Sequence, residues 1–304
     1  MDIVTDIGLM HRTAQALRQD GKRIGCVPTM GYLHQGHLSL VRRAREISQV
    51  VVVSLFVNPT QFGPQEDYDS YPRDLPRDIQ LLEETGCDIL FQPAAERMYP
   101  PGHSTVVEVQ GLTGVLCGAS RPGHFRGVTT VVTMLFDIIR PHLAVFGQKD
   151  AQQAIVIRRM VTDLHQDVEI VVAPTVREPD GLAMSSRNKY LSPRERQEAP
   201  VLYRALQRAR SQVEEGERRA DRLVQGMQRL IESESSGHID YIAVVDTGRL
   251  QPLEELAGEV LIALAVKFGR ARLIDNIIFN IGDNGVPGTS MTSASPERPS
   301  PGGV

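Results

Sequence analysis

Along residues 1–176, short apolar runs rich in Val and Ile alternate with stretches in which apolar residues recur every three to four positions. The runs predict strands at Ile24–Pro28, Val50–Val57, Asp88–Gln92, His142–Phe146 and Val168–Ala173. The helical pattern covers Ile7–Gln19, His37–Ser48, Leu75–Thr85, Thr129–Arg140 and Asp150–Leu164. Such alternation predicts a mostly parallel sheet with helices on both faces, whose ligands bind at the carboxyl ends of strands.

The pattern changes after Val176. Val176–Asn188 is polar, contains Gly and Pro, and reads as a hinge or loop. Ser192-Pro193-Arg194-Glu195 has the chemistry of a helix start: a side-chain cap, Pro in the first turn, and Glu to complete a capping box. Charged helices follow to about Ser233, then predicted strands at Ile239–Asp246, Glu259–Phe268 and Arg272–Asn280. The expected organisation is α/β: a Rossmann-like domain over 1–176 and a smaller C-terminal α+β domain over 177–282. Its place after a polar hinge makes the second domain a candidate lid. The 283–304 tail, rich in Pro, Gly and Ser, is expected to be disordered. No internal repeat is present.

Composition narrows the class. The 304 residues suffice for two ordinary domains or one large one, and 41% are apolar, enough for a buried core. The formal charge of −4 gives no general attraction to nucleic acid or anionic lipid, although a local basic site is compatible with it. The longest apolar runs, near Val50–Val57 and Val260–Val266, fall far short of the ~20 residues of a membrane-spanning helix. Asp2, Asp6, His11 and Arg12 break up the first residues, so no signal-peptide apolar core is expected. Cys26, Cys87 and Cys117 have neither close pairing nor metal-type spacing. A reduced, cytoplasmic enzyme is the expectation.

Three segments carry candidate chemistry. Pro28-Thr29-Met30-Gly31-Tyr32-Leu33-His34-Gln35-Gly36-His37 joins a predicted strand to a predicted helix. Gly31 permits a tight turn, Gly36 permits close approach of a ligand to backbone, and the helix start offers amides to phosphate. His34 and His37 can face one group, donating a hydrogen bond when neutral or a full charge when protonated. A zinc site lacks further ligands at suitable spacing, and two incidental loop histidines are the bland alternative. Phe146-Gly147-Gln148-Lys149-Asp150 again leads from strand to helix. There Gly147 admits backbone approach, Lys149 brings a cation to phosphate, and Asp150 can accept from ribose while capping the helix; an ordinary turn with a solvated lysine is the alternative. Met184-Ser185-Ser186-Arg187 offers hydroxyls, amides and a guanidinium suited to a triphosphate, or simply a Ser cap and a surface Arg.

Together these motifs resemble those of adenylating nucleotidyltransferases, whose His-x-Gly-His turn and later Ser-containing loop hold ATP. More closely, the chain is similar to the pantothenate synthetase (pantoate–β-alanine ligase) family over about residues 1–282. The similarity is carried by Val27–Val41, Phe56-Val57-Asn58-Pro59-Thr60-Gln61-Phe62, Gly123-His124-Phe125-Arg126-Gly127-Val128, Phe146–Gln153 and Asp180–Leu191. Two positions depart from the usual family pattern: Gln148 and Cys117 each stand where Glu is common.

The resemblance implies condensation of (R)-pantoate with β-alanine through pantoyl adenylate, releasing AMP and pyrophosphate. It assigns phosphate contacts to His34, His37 (the proton donor), Lys149, Ser185, Ser186 and Arg187. It places ATP also against Met30, Gly31, Tyr32, Leu33, Gln35, Gly36, Gly147, Gln148, Asp150, Val176 and Met184, with Gly147 and Asp150 at the ribose. Gln61 and Gln153 are the implied pantoate residues, since an amide supplies donor and acceptor without charge. Mg2+ is implied with ATP, held mainly by phosphate oxygens and water rather than by protein ligands. Asp78 is either an outer ligand of that ion or a solvated helix carboxylate, and Tyr71 either a pocket wall or a packing residue. A homodimer is implied as well. Two competing functions are AMP transfer to a phosphate-bearing acceptor, which calls for a further basic cluster, and non-catalytic nucleotide binding.

Overall fold

The computed structural model describes residues 1–64 and 66–282, and a two-residue strand at Pro287–Gly288. Six strands form one parallel sheet: β1 (Asp2–Val4), β2 (Ile24–Thr29), β3 (Val50–Leu55), β4 (Ile89–Phe91), β5 (Leu143–Gly147) and β6 (Glu169–Ala173). Their order is β1-β4-β3-β2-β5-β6. Helices α1 (Ile7–Gln19), α2 (Gln35–Ile47), α3 (Leu75–Thr85), α4 (Ala95–Met98), α5 (Cys117–Ser120), α6 (His124–Ile139) and α7 (Ala151–Asp163) accompany it.

The strand period of two divides the core into layers. Cys26, Val52, Phe91, Ala144 and Phe146 pack with Met10 of α1, Val132 and Phe136 of α6, and Ile157 of α7. Their neighbours Val27, Val51, Val53, Leu90 and Val145 face the other way, onto Leu38 and Val41 of α2 and Leu82 of α3. Both faces are therefore covered, as expected of a parallel sheet.

Boundaries differ where short or motif-bearing segments hide the pattern. β1 is not among the predicted strands; its three residues pair only with β4. α6 begins at His124 rather than Thr129, because Gly123 at φ 82° turns the chain directly into the helix. The Gly-His-Phe-Arg-Gly-Val string is thus the helix entrance, not a preceding loop.

Beyond residue 176 come α8 (Pro193–Glu198), α9 (Val201–Glu214), α10 (Ala220–Glu234) and an antiparallel sheet of β7 (His238–Asp246), β8 (Gly258–Phe268) and β9 (Ala271–Ile281). The capping box is present: the Glu195 amide donates to Ser192 Oγ at 3.3 Å and the Ser192 amide to the Glu195 carboxylate at 2.8 Å. Within the tail, β10 (Pro287–Gly288) pairs antiparallel with Asn280 and Ile281; the rest of 283–304 lies outside the described residues.

Val260–Val266 is buried throughout because this sheet has two apolar faces. Val260, Ile262, Leu264 and Val266 pack against α9 and α10, whereas Leu261 and Ala263, with Val245 and Ile278, join the core of the parallel-sheet domain. A continuous core therefore crosses the 176/177 boundary. We expect a single cooperative unfolding transition, and Leu261→Ala to lower stability by about 2–4 kcal/mol. Calorimetry resolving two separate transitions would contradict the shared core.

Candidate active site

At the centre of the parallel sheet the pairing stops early. β2 pairs with β3 as far as Thr29 and Leu55, and β5 with β6 as far as Gly147 and Ala173. β2 and β5 pair only at Gly25–Leu143 and Cys26–Ala144, so their carboxyl ends diverge where the strand order reverses. A cavity of about 210 Å³ occupies the gap, with Pro28 and Thr29 on one side, Phe146 and Gly147 on the other, and Val128, Val131, Val132 and Leu135 of α6 along it.

The segment leaving β2 is held from below. Gly31 and Tyr32 take positive φ (84° and 52°), and the next amides turn onto one carboxylate. The Tyr32 and Leu33 amides donate to the two oxygens of Asp78 at 2.7 and 2.8 Å. Asp78 is 1% exposed, so it is not the solvated helix carboxylate of one expectation, and it lies outside the cavity linings in which a phosphate-bound cation would sit. Burial pushes its carboxyl above the usual range while the two amides pull it back.

His34 and His37 form a reciprocal cap on α2. The Gly36 amide donates to His34 Nδ1 at 3.2 Å, and the His34 amide to His37 Nδ1 at 3.3 Å. With each Nδ1 occupied as an acceptor, the neutral ring carries its proton on Nε2. The rings lie 4.0 Å apart, and a Cβ on Gly36 would come within 2.9 Å of the His34 ring. Gly36 thus makes room for an imidazole while its backbone lines the cavity. Burial and then Lys149 push His34 down to about 4; burial, His34 and Lys149 push His37 well below its ordinary value. Of the two expected states, the neutral donor is the one favoured in the free chain.

On the opposite lip, Gln148–Asp150 forms a single 3-10 turn before α7. Lys149 Nζ is 3.6 Å from the Asp150 carboxylate. Asp150 stands at the cap position but makes no side-chain capping bond, contrary to expectation. A Cβ on Gly147 would meet only Leu40, at 3.9 Å, so the backbone there is open to a ligand. In the third segment the Arg187 amide donates to Ser185 Oγ at 3.2 Å, starting the 3-10 turn Ser186–Tyr190. Arg187 Nη2 reaches Asp67 at 3.1 Å, and Ser186 lines the cavity together with Tyr71. Tyr71 satisfies both of its expectations: it lines the cavity and packs edge-on against Phe62 at 5.9 Å.

Two of the quoted strings interlock. Asn58 Nδ2 donates to the Gly127 carbonyl at 3.0 Å, and His124 Nδ1 to the Gln61 carbonyl at 2.8 Å. Arg121 contacts the other ring nitrogen at 3.0 Å and holds Glu66 through two bonds of 2.6 Å. A Cβ on Gly127 would lie 2.4 Å from the Thr60 carbonyl, so only glycine allows this approach. The clamp presents Gln61 to the cavity, with its Nε2 2.9 Å from Met30 Sδ.

Met30, His34, Gly36, His37, Gln61, Gly147, Lys149, Asp150, Gln153, Val176, Met184, Ser185, Ser186 and Arg187 all line this cavity. Five other expected nucleotide residues do not. Leu33 is buried in the core, Gly31 and Tyr32 line a separate groove on the Asp78 side, Gln35 opens to a shallow outer pocket, and Gln148 faces the C-terminal sheet. Thr175, which carried no sequence signal, also lines the cavity, and its buried hydroxyl has no hydrogen-bond partner among the described residues.

A family model described as pantoate-beta-alanine ligase matches residues 2–278. The chain belongs to that family. A pantothenate synthetase of Moorella thermoacetica is 55% identical over 283 residues, covering 93% of this chain and 100% of the relative. One from Heliobacterium modesticaldum is 58% identical over 281 residues, 92% of this chain and 100% of the relative. The solved pantothenate synthetase of Thermus thermophilus superposes with a TM-score of 0.86 at 48% identity, covering 91% of this chain and 99% of that one. The pantoate-β-alanine ligase of Francisella tularensis, solved with beta-gamma ATP and β-alanine, gives a TM-score of 0.75 at 36% identity, covering 91% and 97%.

In this pantoate-β-alanine ligase family member the cavity opens outward into a second one of about 810 Å³, and Lys149, Asp150, Gln153, Ser185 and Arg187 line both. The two departures from the usual pattern both contact the C-terminal sheet, Cys117 from the wall of this outer cavity. Cys117 Sγ is 3.2 Å from the Tyr241 hydroxyl and accepts from Arg272 at 3.4 Å, while Gln148 Nε2 donates to Asn276 at 3.4 Å. No group of three or more His, Cys, Asp or Glu side chains among the described residues could enclose a metal ion. No helix among them is long and apolar enough to cross a membrane.

The buried histidines set a pH dependence. Below about pH 6.5 the unfolded chain binds a proton at residue 34 that the folded chain refuses until about pH 4, so stability falls as pH falls through that window. His34→Asn keeps a capping acceptor and removes the titration. We expect denaturation midpoints of the ligand-free variant to depend less steeply on pH between about 6.5 and 4.5, by about one proton. Equal slopes for the two proteins would contradict a neutral His34.

Proposed function

We propose that this chain joins (R)-pantoate to β-alanine in two steps, adenylation followed by aminolysis. The observation that carries the reading is the convergence of His34, His37, Lys149, Gln61 and Gln153 on one cavity built from both halves of a split parallel sheet. The pantoate carboxylate attacks the α-phosphorus of ATP; the bond to the bridging oxygen breaks and its electron pair leaves with pyrophosphate. The amine of β-alanine then attacks the acyl carbon, AMP departs, and the amine loses its proton.

Each residue has work consistent with its surroundings. Gln61 and Gln153 hold the acid by neutral donors and acceptors, which fixes its position without quenching the charge on the attacking oxygen. Neutral His34 and His37 offer Nε2–H groups to phosphate oxygens, and Lys149 supplies the full positive charge where negative charge develops. Arg187 exchanges Asp67 for the β and γ phosphates, with Ser185 and Ser186 beside it. Gly147, Asp150, Val176 and Met184 receive the nucleoside. Mg2+ bound with ATP would neutralise phosphate charge; Asp150, the only carboxylate among the described residues lining the inner cavity, suits an ion carried mainly on phosphate oxygens and water. Because the core crosses the domain boundary, closure is assigned to the Met184–Arg187 loop rather than to a swing of residues 177–282. Family membership also supports a cytoplasmic homodimer.

Pantoate should promote exchange of labelled pyrophosphate into ATP in the presence of Mg2+ and without β-alanine. Active protein that forms pantothenate yet shows no exchange would exclude the adenylate route. Lys149→Ala should slow single-turnover adenylation by about 10²–10³-fold, the scale for losing a placed transition-state contact. A folded variant adenylating at the wild-type rate would remove Lys149 from this role.

A further inference from the structure

The ionic side chains around the outer cavity largely cancel. Arg121 pairs with Glu66 at 2.6 Å, Arg187 with Asp67 at 3.1 Å, and Lys149 with Asp150 at 3.6 Å. Asp275 is taken by Arg177 at 2.5 Å, and Arg272 by Asp240 at 2.7 Å. Lys267 and Arg270 line the same cavity, are exposed, and have no carboxylate within ion-pair distance among the described residues. Lys267 lies near the end of β8 and Arg270 in the turn to β9; the excess positive charge at the mouth is theirs, with Asp240 acting on Lys267 from beyond ion-pair distance. On a chain of net charge −4 this makes the mouth locally positive against the sign of the whole.

Their placement relates them to the phosphate loop. The Arg270 guanidinium lies 5.9 Å from the centre of the Tyr190 ring, and Tyr190 ends the 3-10 turn whose second residue is Arg187. Of the cations lining the outer cavity, which Ser185 and Arg187 also line, Lys267 and Arg270 are the two outside every ion pair among the described residues. The outer cavity shares Lys149, Ser185 and Arg187 with the inner one and so offers the other product of adenylation a way out past them. That product is a multiply charged diphosphate. The amine substrate, a zwitterion without net charge, gains far less from two free cations.

We propose that Lys267 and Arg270 form a receiving site for the diphosphate leaving group at the mouth of the outer cavity. The assignment rests on the adenylation reading above and adds a release site to it. Electrostatic capture there lowers the chance that diphosphate returns to the adenylate, and screening by salt weakens it.

The test uses the full chain and inorganic pyrophosphate with Mg2+. Calorimetric titration of wild type and of the Lys267→Ala/Arg270→Ala double variant should give about tenfold weaker binding in the variant, the scale for losing charge-assisted contacts. The product-inhibition constant for pyrophosphate should rise in parallel, with the KM for β-alanine within about twofold. Arg270→Lys, which keeps the charge, should recover most of the loss, and raising ionic strength to about 0.5 M should erase the difference. Unchanged pyrophosphate binding in the double variant would overturn the site, as would a raised KM for β-alanine with unaltered pyrophosphate inhibition, which would assign these cations to the amine's carboxylate. The titration needs no turnover, so failure of wild-type exchange would sink the adenylation reading separately.

Discussion

The site exists because two neighbouring strands part company. β2 and β5 occupy the centre of the parallel sheet, yet share only the pairs at Cys26–Ala144 and one residue before it, and then separate while each keeps its outer partner. In the proposed reaction the histidines stand on one lip of that opening and Lys149 on the other, with Gln61 after β3 and the Ser185–Arg187 loop after β6 beside them. The lip after β2 is fixed by Asp78, whose buried carboxylate takes two successive amides and so holds a turn that Gly31 makes possible. The lip after β5 is a single 3-10 turn that sends Lys149 toward the same space. α6 closes the gap from beneath with four apolar side chains, so that polar groups enter only from the rims.

Within that space charge is used sparingly. The two histidines are held neutral by burial and by Lys149, and their Nδ1 atoms are committed to the backbone, which leaves Nε2–H donors of fixed direction. The groups proposed to hold the acid, Gln61 and Gln153, are amides. Lys149 is then the one strong cation common to both cavities apart from Arg187, and Arg187 is paired with Asp67 until a better anion displaces it. In the proposed reaction a site arranged this way concentrates its electrostatic stabilisation on phosphate, where charge moves, and spares the carboxylate that must remain nucleophilic.

The C-terminal sheet contributes more than a cover. Alternate residues of β8 serve two cores, one with α9 and α10 and one shared with α6 and α7. The sheet is thereby fixed against the parallel-sheet domain, and its edge facing the outer cavity brings Tyr241, Arg272 and Asn276 to Cys117, Gln148 and Lys149. The two residues that replace expected carboxylates are accommodated in these contacts rather than left against open solvent.

Much of this was legible in the chain. The bounds of α1 and α3 follow directly from apolar periodicity, and the strand–helix alternation specified a doubly covered parallel sheet, because those patterns are local. Glycine and histidine at a strand end marked one lip of the cavity for the same reason. The rest depended on partners distant in sequence. Asp78 reads as a surface carboxylate until Tyr32 and Leu33 arrive above it, and Leu33 reads as a nucleotide contact until the core takes it. Gly127 and His124 have no visible purpose until they meet Thr60 and Gln61, and Thr175 becomes part of the cavity wall only when the strands diverge. By itself, the sequence determined which segments form and which side chains carry chemistry, since both depend on near neighbours. Only the tertiary structure decided which of those side chains face one another, because burial, tautomer and charge pairing are set by groups that the chain brings together from far apart.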